Sequence, residues 1–301
     1  AHAPGPVIEV HGQASWPGAG DASGRADALA EMDANGIVLS LLYINDPGDV
    51  SGWLDAAPGR FIGGPAMPCP VTRAAPYYRC FADSEGWPDL AWIESELRRG
   101  RIGLLGEMLY VYAGIDPNDP RMSPYWRLAA RYDVPVAVHI NRGPPPDSRI
   151  RRDGACCPDF DGEMGNPALL RSVLERHPRL RIIIQHVGTG RAPDSLPFDE
   201  ETFALLRDYP LVYLDLTILN SIAPPEAHER ELRRLVDAGF GGRIMFGTDG
   251  QPAGPILRRL DTIPWLTADQ RRAILYDNAA RFLRLDPRTD AAHRDRSSAS
   301  R

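Results

Sequence analysis

Eight short apolar runs recur along this chain at intervals that leave room for a helix between each pair. They cover 6–13, 36–43, 60–67, 101–109, 134–140, 180–186, 211–217 and 243–249. Each is rich in β-branched and aliphatic residues and bounded by turn signals, the pattern of a strand buried on both faces of a parallel sheet. Their starts lie 24 to 46 residues apart. A parallel connection needs a crossover of that size, a helix with its two loops. Eight such units predict a single α/β domain closed as a (β/α)8 TIM barrel, and 301 residues suffice, since such barrels take about 250.

The intervals read as helices. Residues 21–35 are helix formers followed by Gly36 at the stop position. Asn166-Pro167 supplies a cap and a first-turn proline for 168–177, and Pro178 ends that stretch. Thr267 with Gln270 three residues on is a capping-box pattern. Residues 141–165 are too long and irregular for a turn and are expected to form a loop over the catalytic face. The domain is expected to span 1–285, with 286–301, almost devoid of apolar residues, as a disordered tail.

Composition narrows the function. Hydrophobic content of 43% and charged content of 25% are ordinary for a globular chain. A net charge of -6 without a basic stripe argues against nucleic acid, and no apolar run approaches the roughly 20 residues of a membrane span. The expected partner is a small-molecule substrate, with homodimerisation left open. Cys69, Cys80, Cys156 and Cys157 lack Cys-x-x-Cys spacing and read as free thiols, while a Cys69 to Cys80 disulfide would require an oxidising compartment. The start, Ala1-His2-Ala3 without methionine, is compatible with a removed leader or tag, so cytoplasmic, secreted and periplasmic locations all stay open.

Three runs end on groups that bind divalent cations: His139, His186 and Asp249. In the first run, side-chain alternation places Glu9, His11 and Gln13 on one face. The C-terminal strand ends are where α/β barrels keep their chemistry. Imidazoles and a carboxylate converging there suit zinc, with manganese as the alternative. Glu107, closing the fourth run, is a candidate ligand or proton shuttle, or a carboxylate paired with arginine. Tyr110, Tyr112, Trp53 and Asn220 are candidate pocket walls. Arg142 could clamp a substrate carboxylate or be a solvated loop residue. Asp215 could support backbone or touch substrate, and His177 and His228 read as surface histidines.

These motifs together resemble the amidohydrolase superfamily, in its amidohydrolase-2 branch of aminocarboxymuconate-semialdehyde decarboxylase-like enzymes. The resemblance runs from about residue 7 to 285 and rests on Val7-Ile-Glu-Val-His11, Gly106-Glu107, Asp119 to Trp126, Val134 to His139, His177 to His186, Phe246-Gly-Thr-Asp249 and Ile274 to Phe282. It implies a distorted barrel with one or two divalent metals at the strand ends. His11, His139 and Asp249 would be metal ligands, and His186 would act on the reacting water or substrate. The chain departs from the pattern at Gln13, which stands where the second histidine of the first-strand pair belongs. An amide is a poorer zinc donor than imidazole.

The implied chemistry is hydrolysis of a small amide, ester or lactone. A bound cation lowers the pKa of water toward about 7. Asp249 would take the proton and His186 would orient the carbonyl or protonate the leaving group, with Gln13, Tyr110 and Arg142 contacting substrate. Two other readings remain: non-oxidative decarboxylation of an aromatic or unsaturated acid, and a metal-independent lactonase or disabled binding protein in which Gln13 has abolished the site.

Overall fold

The computed structural model describes residues 5–14, 22–68, 81, 87–140, 159–189 and 198–299. Arg142, all four cysteines and most of the 141–165 segment lie outside the described residues. All eight predicted strands are present: β1 (Val7–Gln13), β2 (Ile37–Ile44), β3 (Phe61–Pro65), β4 (Leu105–Met108), β5 (Val136–His139), β6 (Ile182–Gln185), β7 (Val212–Asp215) and β8 (Ile244–Met245). Each neighbouring pair within β1-β2-β3 and within β4-β5-β6-β7-β8 is parallel.

Two sets of hydrogen bonds join these sheets into a ring. Between β3 and β4, Met67 N donates to Glu107 O at 2.8 Å and Leu109 N donates to Met67 O at 2.7 Å. Between β8 and β1, Val10 N donates to Phe246 O at 2.8 Å and Asp249 N donates to His11 O at 2.9 Å. Among the described residues these bonds bridge both junctions between the sheets.

Alternation along each strand feeds two apolar layers. Ile8, Val10, Leu41, Ala137, Ile183 and Met245 face inward. Val7, Leu42, Val138, Ile184, Leu214 and Ile244 face outward and pack under the helices. Helix Asn278–Leu283 closes the N-terminal end of the barrel, where Asn278 Nδ2 donates to Ile244 O at 2.8 Å and Phe282 packs on Tyr213 with ring centroids 4.8 Å apart. That leaves the opposite end for polar residues.

The predicted caps form, with one refinement. Thr267 and Gln270 make both bonds of the capping box. Asn166 Oδ1 accepts from Ala168 N at 2.9 Å, but it caps a 3-10 turn, Pro167–Leu170, before the α-helix Arg171–Arg176 begins. Among the described residues, no helix is long and apolar enough to cross a membrane.

The expected disordered tail is instead a helix, Pro287–Ala299. Local bonds account for it. Asp286 Oδ1 caps the N-terminus by accepting from Arg288 N and Thr289 N, Asp290 pairs with Arg294, and the Tyr276 hydroxyl bonds Asp290 at 2.8 Å and the buried His293 at 3.0 Å. Composition alone misses such anchoring, because one buried imidazole docks the element without an apolar face.

Candidate active site

The strand ends deliver their polar residues to one place, and backbone irregularities decide which ones. β1 has a register shift between Glu9 and Gly12. Alternation is interrupted there, so His11 and Gln13 point into the barrel mouth while Glu9 points away. Glu9 accepts from Ser40 Oγ at 2.5 Å and Thr248 Oγ1 at 2.7 Å, in the wall of a cavity of about 250 Å³ behind the strand that Gln13 also lines. The expectation that Glu9, His11 and Gln13 share one face is thereby corrected.

On β4 the shift falls at Gly106, whose φ of +123° a side chain rarely adopts and whose added Cβ would lie 2.5 Å from Ala137 O. Glycine there lets Glu107 turn inward. His186 and Asp249, just after β6 and β8, take left-handed backbone with φ of 62° and 51°. Non-glycine residues in this region carry strain of roughly 1–3 kcal/mol each, which the surroundings must hold.

Inside the mouth the groups converge. His11 Nε2 lies 3.2 Å from Asp249 Oδ1 and 3.6 Å from Glu107 Oε2. His186 Nε2 lies 3.6 Å from Glu107 Oε1, and His139 Nδ1 donates to that same oxygen at 2.8 Å. Two clusters have metal-ligand geometry, His11 with His186 and Asp249, and Glu107 with His139 and His186. Each has its donor atoms within 4.8 Å of one another, and His186 belongs to both.

Beneath them lies Asp215, completely buried. Its Oδ2 accepts from His11 Nδ1 at 2.9 Å, and its Oδ1 accepts from the backbone N–H of His186 and of Thr217, both at 3.0 Å, and from Thr217 Oγ1 at 2.7 Å. The His186 N–H that leaves the strand ladder is thus repaired by Asp215.

Charge balance follows from this crowding. Burial alone would favour neutral imidazole at His11, but Asp249, Asp215 and Glu107 outweigh it and hold His11 well above the ordinary range. Burial likewise opposes the Glu107 anion, yet His11 beside it, the bond from His139 and the adjacent His186 ring hold it well below the usual carboxylate range. Asp215 is lowered because His11 overcomes its desolvation. His186 is raised, since the nearby Glu107 and Asp249 carboxylates offset its burial. His139 is lowered by burial and by His186 beside it.

Three carboxylates therefore surround the imidazoles with little to neutralise them. The chain has no lysine, and among the described residues no arginine pairs with Glu107, Asp215 or Asp249. Gln13 partly fills the gap, its Nε2 donating to Glu107 Oε2 at 2.8 Å and Asp249 Oδ1 at 3.2 Å. Nitrogen and oxygen donors with excess negative charge fit a divalent cation.

The family model described as amidohydrolase matches residues 49–285. This chain belongs to the amidohydrolase family. No curated protein matches it. Solved structures do. A 2,6-dihydroxybenzoate decarboxylase from Rhizobium is 18% identical, with 94% of this chain and 99% of that one covered and a TM-score of 0.58. A protein described as a probable 2-pyrone-4,6-dicarboxylic acid hydrolase from Acinetobacter baumannii, with citric acid bound, is 12% identical over 93% and 99%, with a TM-score of 0.64. A dihydroxybenzoic acid decarboxylase from Polaromonas, with manganese and the inhibitor 2-nitroresorcinol bound, is 16% identical over 95% and 99%, with a TM-score of 0.58. At these identities the likeness establishes the fold, a TIM barrel, and the family makes the chain an enzyme.

In this amidohydrolase the predicted site residues separate clearly. His11, Gln13, Glu107, His139, His186 and Asp249 come together. Of the residues expected as ligands, His139 lies in the group with Glu107 and His186, while His186, expected to act on water or substrate, also groups with His11 and Asp249. Tyr110 is away from the mouth, fully buried in the outer core. Tyr112 occupies the site instead, its hydroxyl 3.2 Å from His139 Nε2 and its ring 5.8 Å from Phe160. The 3-10 turn Tyr110–Ala113 rotates the two tyrosines apart.

Trp53 lines the cavity behind β1 and packs on Phe61, and Asn220 Nδ2 donates to Gly247 O at 2.9 Å, so neither faces the cluster. His228 is buried, not on the surface. Thr217 and Gln185, whose Nε2 is 3.3 Å from His11 Nε2, are site residues that sequence reasoning missed. The faint signal was position: both sit at a strand end already carrying a candidate.

Proposed function

We propose that this amidohydrolase is a divalent-metal-dependent hydrolase of a small ester, lactone or amide. The observation that carries the proposal is the convergence of His11, His186 and Asp249 beside Glu107 and Asp215, with no arginine paired to these carboxylates among the described residues. These three residues would hold the cation, zinc or manganese, which when bound polarises a carbonyl and makes water more acidic.

The remaining work falls to the second cluster. Glu107, kept anionic by its donors, is the group placed to take a proton from attacking water. Its Oε1 is bonded to His139 Nδ1, and His139 Nε2 accepts from Tyr112, so Glu107 has a chain of two further polar groups beside it. Gln13 orients Glu107 and Asp249 toward one another through its single amide nitrogen. Tyr112 and Phe160 provide an aromatic wall for a planar substrate.

A second reading, non-oxidative decarboxylation of an aromatic acid, is favoured by the decarboxylases among the structural neighbours, one of them holding manganese. Metal analysis of protein purified without chelator tests both, because a protein that takes up neither zinc nor manganese refutes a metal-dependent enzyme. Release of carbon dioxide, against release of a new carboxylic acid, then separates decarboxylation from hydrolysis.

A further inference from the structure

Thr217 connects two imidazoles that lie 175 positions apart in sequence. Its Oγ1 is 2.9 Å from His186 Nδ1, 3.2 Å from His11 Nδ1 and 2.7 Å from Asp215 Oδ1. A hydroxyl has one proton to give and two lone pairs to offer. At 2.7 Å, close to the range of a charge-assisted bond to a carboxylate, the proton belongs to Asp215. Toward His186 the hydroxyl can then only accept, so the ring must present Nδ1–H to Thr217.

The opposite arrangement fits the distances worse. With the Thr217 proton on His186 Nδ1, the neutral ring would carry its own proton on Nε2, facing Glu107 Oε1 at 3.6 Å, beyond hydrogen-bond reach. Asp215 Oδ1 would lose a donor at the same time. His11 obeys the same constraint directly, since its Nδ1 must donate to Asp215 Oδ2 at 2.9 Å. Both rings thus turn Nε2 toward the mouth, and one buried carboxylate sets the two orientations.

Gly247 makes room for this arrangement. A Cβ there would lie 2.8 Å from Thr217 Cγ2 and 2.9 Å from His11 Cβ, so only glycine lets β8 pass so close to both residues.

We infer that Thr217 is a positioning residue of the candidate cation site, fixing the Nε2 atom of His186 toward the mouth by accepting from His186 Nδ1–H while donating to Asp215. The inference rests on reading the cluster as a cation site, and its test includes an arm independent of any metal. In long-range 15N–1H spectra of the metal-free protein, His186 should show a protected Nδ1–H in the wild type and in Thr217→Ser. In Thr217→Val that protection should be lost.

Competition titration with zinc should give a dissociation constant raised about 10- to 100-fold in Thr217→Val, the usual effect of removing a partner behind a metal-binding histidine, and restored in Thr217→Ser. An unprotonated Nδ1 in wild-type His186 overturns the inference, as does zinc affinity unchanged in the valine variant or lost in the serine variant. If the valine variant fails to fold, the wild-type and serine spectra still decide. A wild type that binds no zinc but shows the protected Nδ1–H sinks the zinc assignment and leaves the role of Thr217 standing.

Discussion

Replacing Asp249 with asparagine removes one negative charge while keeping the side chain's shape, so it measures how far the site depends on that charge. Asp249 Oδ1 sits 3.2 Å from His11 Nε2, and its side chain is 20% exposed, the most open of the acidic groups here. A pair of unit charges at about 4 Å is worth roughly 4 kcal/mol at an effective dielectric of about 20. A divalent cation strengthens that attraction and the partial exposure screens it, so a loss of about 3–4 kcal/mol is reasonable. At about 1.4 kcal/mol per factor of ten, zinc or manganese affinity should weaken by roughly 100- to 1000-fold. The assay is competition against a chromophoric chelator, followed by turnover at saturating metal, with circular dichroism to show an intact fold. A dissociation constant within threefold of wild type would refute the placement of Asp249 as a ligand.

The other perturbations probe different parts of the molecule. Gln13→His replaces the amide that bridges Glu107 and Asp249, and should raise metal occupancy after purification, measured by elemental analysis; unchanged occupancy moves this position to a substrate role. Glu107→Gln should lower kcat by about 100-fold or more if Glu107 is the base, with metal content retained, and a normal kcat rules that role out. Burial and the nearby Arg259 hold His228 down to about 4, against 6.5 when unfolded. Below pH 6.5 the unfolded chain gains a proton that the folded one refuses, so stability should fall by roughly 3 kcal/mol between pH 6.5 and 4. Denaturant midpoints across that window should flatten in His228→Leu, and an unchanged slope contradicts the assignment. Tyr276→Phe removes the hydroxyl that reaches Asp290 and His293, and should cost about 1 kcal/mol and speed proteolysis of helix Pro287–Ala299.

Much of this architecture was legible in the residues. A strand buried on both faces must be apolar throughout, so the eight runs announced themselves, and only their ends shrank where pairing stops, as at β8, reduced to Ile244–Met245. The candidate donors were legible because each closes such a run. What the pattern could not carry was phase and partnership. Alternation assumes an unbroken pleat, and the irregularities at Glu9 and Gly106 shift it without any residue type that marks the event reliably. The roles of Asp215 and Thr217 depend on His11, which sits 204 and 206 positions away, a proximity that only the folded ring creates. The tail misled for the converse reason, its anchoring being local and polar.

The bond from Asp249 N to His11 O has a further consequence. It joins the last strand of the sequence to the first, and it ties together two residues of the candidate site across that junction. Asp249 meets His11 only where the segment after β8 lies against β1, so the candidate cluster of His11, His186 and Asp249 and the junction of the last strand with the first depend on each other. Shortened versions lacking β8 would forfeit both, however well the remaining strands associate.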